Sequence, residues 1–329
     1  MKKFKVWFSV ILVLLLSSFV LTGCGGGSSS SSSAQVNTYS VGTNPIGIAI
    51  DGSGNVWVTN QGSNNVTELS YAGALIGTYP VGTSPYGIAI DSSGNAWVVN
   101  YGSDSVTELS SAGALIETYT VGTSPYGIAI DSSGDVWVTN QGSSNVTELN
   151  SAGAVSYPVG SLPEGIAIDS SGNVWVANNG SNSVTELSSA GAVLNTYDVG
   201  TSPTGIAIDG SGNVWVANQG SSNVTELSST GTLIGTDTVG TDPYGIAIDG
   251  SGIVWVTNIA SNNVISSTGA VYAVGTEPYG IAIDSSGNVW VVNHSDNNVN
   301  ELVGIASPVH IPLVSQLKMK RAAVSRGVL

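Results

Sequence analysis

Basic side chains are almost absent from this sequence. Of 329 residues seven are Lys or Arg, against 22 Asp or Glu, giving a formal net charge of −15. The basic residues fall at positions 2–5 or beyond 317, so residues 34–303 carry none. A body without Lys or Arg lacks the electrostatic footprint of nucleic-acid binding, and no nucleic-acid partner is expected. It also lacks cationic clamps for phosphate and any means of docking on anionic lipid through that body. Cations, basic partners or the chain's own basic tail remain compatible with it. There is a single cysteine, Cys24, so no disulfide can form within one chain and the fold must be held by its core. Long apolar runs are limited to residues 6–20, broken only by Ser9, Ser17 and Ser18. That run is short for a membrane span and ends in small residues, as a secretory signal does.

With Lys2, Lys3 and Lys5 ahead of it, the run gives a signal peptide over residues 1–23. Leu21, Thr22, Gly23 and Cys24 resemble a bacterial lipobox, which implies lipidation of Cys24 and membrane attachment through that anchor. Residues 25–33 (GGGSSSSSS) make residues 24–33 a lipidated tether, a Gly/Ser coil with an end-to-end distance of roughly 15–18 Å. No Asp follows Cys24, and the lipoprotein resemblance then implies an exported protein at the outer membrane or cell surface, on its periplasmic or extracellular side.

The remainder is one repeated unit. Copies begin at Val41, Val81, Val121, Val159, Val199, Val239 and Val274, 35–40 residues apart. In the second copy, residues 87–90, 95–99, 105–109 and 114–119 read as four strands split by Gly, Ser, Asn and Pro, with no helical segment among them. Four strands per unit, seven times over, predict an all-β seven-bladed β-propeller spanning residues 34–303. The last copy lacks an outer strand, while residues 35–41 look like the tail of a copy, so the N-terminal strand is expected to complete the last blade. Pro308 and Pro312 count against residues 309–314 filling that place. Residues 304–329, with Lys318, Lys320, Arg321 and Arg326, form a basic tail expected to be disordered.

Each copy places a Trp in its second strand: Trp57, Trp97, Trp137, Trp175, Trp215, Trp255 and Trp290. These read as seven stacked core indoles rather than a ligand cage. Asp51, Asp91, Asp131, Asp169, Asp209, Asp249 and Asp284 recur at the turn between the first two strands. Clustered carboxylates raise Ca2+ or Mg2+ as a cofactor. Each Asp belongs to a different blade and a turn that wants an acceptor, so no metal site and no cofactor are assigned. Asn60 and its six equivalents close the second strands.

Copies differ around one rim. After the entry-loop Pro stand Ile46, Tyr86, Tyr126, Glu164, Thr204, Tyr244 and Tyr279; the loop after the second strand begins with Gln61, Tyr101, Gln141, Asn179, Gln219, Ile259 and His294. A shared core carrying a variable rim suits a binding scaffold, with Tyr86, Tyr101, Tyr126, Glu164, Tyr244, Tyr279 and His294 as ligand-binding residues for a protein, peptide or glycan. His294 is the one histidine of the propeller, and with Glu277 it is the candidate for acid–base catalysis.

The units PYGIAIDSSGN and WVTNQGSNNV resemble NHL and YVTN propeller repeats over nearly all of residues 41–302. Where NHL repeats carry Arg before the third-strand Val, this chain has Asn65, Ser105 and Asn145. The same frame resembles virginiamycin B lyases, seven-bladed propellers that open streptogramin rings by elimination. That resemblance implies a Glu-Pro-His entry loop in the last blade and a Pro-His in the blade before. Here Glu277, Pro278 and Tyr279 keep the Glu but carry Tyr for His, and Tyr244 replaces the other His. The expectation is therefore a non-enzymatic binding scaffold, the alternative a lyase-like or lactonase-like enzyme centred on blade seven.

Overall fold

A computed structural model describes residues 34–309; the signal segment, Cys24, the tether and residues 310–329 lie outside the described residues. Within them the chain forms seven four-stranded antiparallel sheets and two short 3-10 turns, Tyr101–Ser103 and Asn179–Ser181. Blades one to six cover residues 45–80, 85–120, 125–158, 163–198, 203–238 and 243–273; blade seven joins 278–302 to 36–40. The first strand of each blade touches the first strand of the next, and that of blade seven touches that of blade one, so the ring is closed around a channel. These inner strands converge tightly. A Cβ at Gly47 would lie 2.2 Å from the Tyr86 carbonyl oxygen, and only glycine fits.

The turn after the first strand explains the aspartates. Asp91 Oδ1 accepts the backbone N–H of Ser93 (2.8 Å) and Asn95 (2.9 Å), while Oδ2 accepts the indole N–H of Trp97 at 3.2 Å. Gly94 sits at φ +86°, the left-handed conformation the hairpin needs. The same bonds recur at Asp51 and Asp284. Asn100 and its equivalents donate across to the third strand, Asn100 to Thr107 at 2.9 Å.

The tryptophans do not stack on one another. Each of six indoles faces a tyrosine on the outer strand of its own blade, as Trp57 faces Tyr79 and Trp175 faces Tyr197, both with centroids 5.5 Å apart. Successive blades are held apart by two sheet faces, so the nearest aromatic surface lies along the same sheet. Tyr79 donates its hydroxyl to Glu68 at 2.7 Å, and Leu109 of the next blade completes the compartment around Trp57. The core is thus a ring of compartments between blades.

Val36–Ser40 pairs antiparallel with Asn298–Leu302. There Tyr39 stacks on Trp290 at 5.5 Å and donates to Glu301 at 2.9 Å, the arrangement found inside single-segment blades. Past Leu302 the chain crosses the turns of blades seven and six, where Ala306 N–H donates to Gly287 O (3.0 Å) and Ser307 N–H to Asp249 Oδ2 (2.9 Å). The rest of the basic tail lies outside the described residues. Blade six has the shortest outer strands, Asn263–Ser266 and Val271–Ala273.

Candidate binding site at the channel mouth

The entry loops aim the variable residues into the channel. The residue before each Pro is left-handed, with Ser84 at φ 49° and Glu277 at φ 55°, and the chain then turns down into the inner strand. Threonines of the second strand pin the backbone just beyond the Pro: Thr139 Oγ1 donates to the Glu164 carbonyl and Thr257 Oγ1 to that of Tyr279, both at 2.7 Å. Ile46, Tyr86, Tyr126, Glu164, Thr204 and Tyr244 therefore meet around a cavity of about 220 Å³.

The rim tyrosines are half-buried, because their rings pack on one another. Tyr86 lies 5.2 Å from Tyr101 and 4.7 Å from Tyr126. On the other side Tyr244 lies 4.7 Å from Tyr279, which lies 5.1 Å from His294. The two groups are joined by a hydrogen bond between the hydroxyls of Tyr126 and Tyr244, residues of blades three and six. Six rings thus form one arc across the mouth. Burial pushes the Tyr86 hydroxyl up to about 12 and those of Tyr126 and Tyr244 well above the usual phenol value. These phenols stay protonated at any ordinary pH and act as neutral donors and acceptors.

Glu164 is the outstanding ionisable group. It is 7% exposed, and burial raises its carboxyl to about 7, opposed by a hydrogen bond from Gln141 Nε2 at 3.0 Å. Tyr101 donates in turn to Gln141 Oε1 at 3.3 Å. Gln141 and Gln61, which donates to the Tyr86 hydroxyl at 3.1 Å, orient site residues; sequence reading placed them on the rim without a role. That Glu164 is buried was legible only in its breaking a Tyr, Ile and Thr series.

His294 and Glu277 meet at the edge of the arc, Nδ1 to Oε2 at 3.2 Å. Ser295 Oγ donates to the same Glu277 oxygen, and these two bonds hold the carboxyl below its usual range. Glu277 is therefore an ionised, bonded carboxylate that orients the imidazole. Among the described residues no group of three or more His, Cys, Asp or Glu is placed to hold a metal ion.

The sequence matches the virginiamycin B lyase family over residues 31–302. No curated protein matches it. Among solved structures, it is similar to a streptogramin B lyase with a TM-score of 0.75 at 22% identity, covering 81% of this chain and 96% of that one. Similar too is a catalytically inactive virginiamycin B lyase from Staphylococcus aureus with quinupristin (TM-score 0.74, 20% identity, 82% and 99% covered). Hydrazine synthase of Kuenenia stuttgartiensis shares the architecture as well (TM-score 0.72, 18% identity, 87% and 100% covered). At these identities the structural likenesses speak for the fold.

Proposed function

The chain belongs to the virginiamycin B lyase family, and we propose that it is a non-enzymatic binding protein whose channel mouth takes a peptide or glycan ligand. The observation that carries this reading is the aromatic arc beside Glu164. Hydrogen-bonded, mutually packed rings are a preorganised stacking surface for sugar rings or planar peptide groups, and little side-chain entropy is lost on binding. Glu164 and Gln141 beside the arc supply directional hydrogen bonds, and a carboxyl near neutrality pairs with hydroxyl and amide donors alike. The absence of Lys and Arg from residues 34–303 disfavours anionic ligands. On this proposal the propeller is exported and displayed from a lipid anchor at Cys24.

The test is calorimetric titration of glycan and peptide panels, with Tyr86→Ala and Glu164→Gln as variants. A ligand whose affinity falls at least tenfold in both supports the mouth as its site. Ligands that bind both variants as they bind the wild type would place binding elsewhere and sink the proposal.

A second reading is favoured by family membership: streptogramin-type elimination, with His294 as the base and Glu277 orienting it. Quinupristin incubated with the protein and followed by mass spectrometry decides between them. Ring opening that His294→Ala removes establishes the enzyme; an unchanged substrate retires it.

A further inference from the structure

One seam between blades is built differently from the other six. Elsewhere each indole is enclosed by the tyrosine of its own outer strand and by the leucine ending the third strand of the next blade: Trp175 by Tyr197 and Leu227, Trp255 by Tyr272 and Leu302. Between blades five and six both enclosing groups are replaced. Asp237 stands opposite Val224, where Tyr197 stands opposite Val184 in blade four. The third strand of blade six ends at Ser266, in register with Trp255, where other blades carry glutamate followed by leucine. A cavity of about 220 Å³ results, lined by Trp215, Val224, Asp237, Val256, Ser267 and Gly269. A Cβ at Gly231 would strike the Tyr197 ring, whereas one at Gly269 meets nothing within 4 Å. Glu226 keeps Asn213 on Oε1 at 3.1 Å. The phenol that Tyr197 offers Glu186 at 2.8 Å has become a carboxylate at Asp237.

We propose that this seam is a second binding site, selective for a small aromatic molecule bearing an ammonium or similar cationic group. The space is what a phenol ring and a leucine side chain occupy at neighbouring seams, so a flat ring fits against Trp215 as tyrosines do against the other indoles. Asp237 and Glu226 favour a cation at the ring's polar end and disfavour an anion. Asp237 is exposed at the opening, and residues 34–303 contain no Lys or Arg to neutralise it. An indole face next to a carboxylate attracts organic cations through cation–π and charge interactions together.

Tyramine is the probe and p-cresol, which lacks the ammonium, the comparator; both are titrated into the mature chain by calorimetry. Tyramine is expected to bind with a Kd of about 1 mM or tighter, as a ligand of its size can, and p-cresol about tenfold more weakly. Asp237→Asn should bring tyramine to the level of p-cresol. Asp237→Tyr, which restores the residue of other blades, should abolish binding of both while raising Tm. Glu164→Gln should change neither. No tyramine heat with the wild type, or undiminished binding by Asp237→Tyr, overturns the assignment.

Discussion

A single carboxyl sets the chemistry of the channel mouth. Glu164 titrates near 7 rather than 4.5 because burial penalises its charged form. The folded state therefore holds a proton that the unfolded chain releases between those values, and Glu164 costs stability progressively as pH rises through that window. The full cost above pH 7 is on the order of 3 kcal/mol. Glu164→Gln should be close to neutral at pH 4.5 and more stable than wild type at pH 8, read as the difference in urea midpoint between the two proteins. A variant whose midpoint tracks the wild type at both values would show that Glu164 is solvated. Glu277 differs in kind: hydrogen bonds from Ser295 and then His294 lower it.

Among elements, the aspartate turn recurs in every blade and the indole–phenol brace in every blade but the fifth. Asp131 accepts from Ser133 N–H (2.8 Å), Asp135 N–H (3.0 Å) and Trp137 Nε1–H (3.3 Å). Asp131→Ala leaves these donors unmatched and should cost about 2 kcal/mol in chemical denaturation. With the carboxylates engaged in this way, Tm should be the same with EDTA as with added Ca2+; a calcium-dependent rise would revive the metal reading. Tyr79→Phe keeps the stack on Trp57 but removes the donor to Glu68, which burial already pushes upward. It should cost about 1 kcal/mol, and more at pH 8 than at pH 5, since an unpaired carboxylate is costlier than an unpaired acid.

For the whole molecule, closure of the ring matters most. Tyr39 joins the two ends of the propeller through Trp290 and Glu301, so truncating it acts on the ring and not on one hairpin. Tyr39→Ala should cost about 3–4 kcal/mol in denaturant titration, as loss of a packed aromatic does. A loss under about 1 kcal/mol would mean that the ring holds without this strand. Export and anchoring are tested by metabolic labelling with a fatty-acid analogue: label should enter the wild type and not Cys24→Ser, which should leave the membrane fraction.

The period and the four short strands within it were enough to set the architecture, because every unit must bury both faces of its inner strands against neighbours and a ring of seven does so. The turn role of the aspartates was equally local, resting on contacts two to six residues apart. Distance in sequence hid the rest. The Tyr126–Tyr244 bond spans 118 residues, and no pattern within one repeat foretells that two rim tyrosines meet across a channel. Glu164 differs from its six equivalents in the sequence, but its raised pKa arises from the walls other blades place around it. Asp237 and the shortened third strand of blade six are separate irregularities along the chain. Asp237 reaches Trp215 along its own sheet, but only the stacking of blade on blade puts the shortened strand beside the same indole, because packing, unlike periodicity, depends on which surfaces face each other.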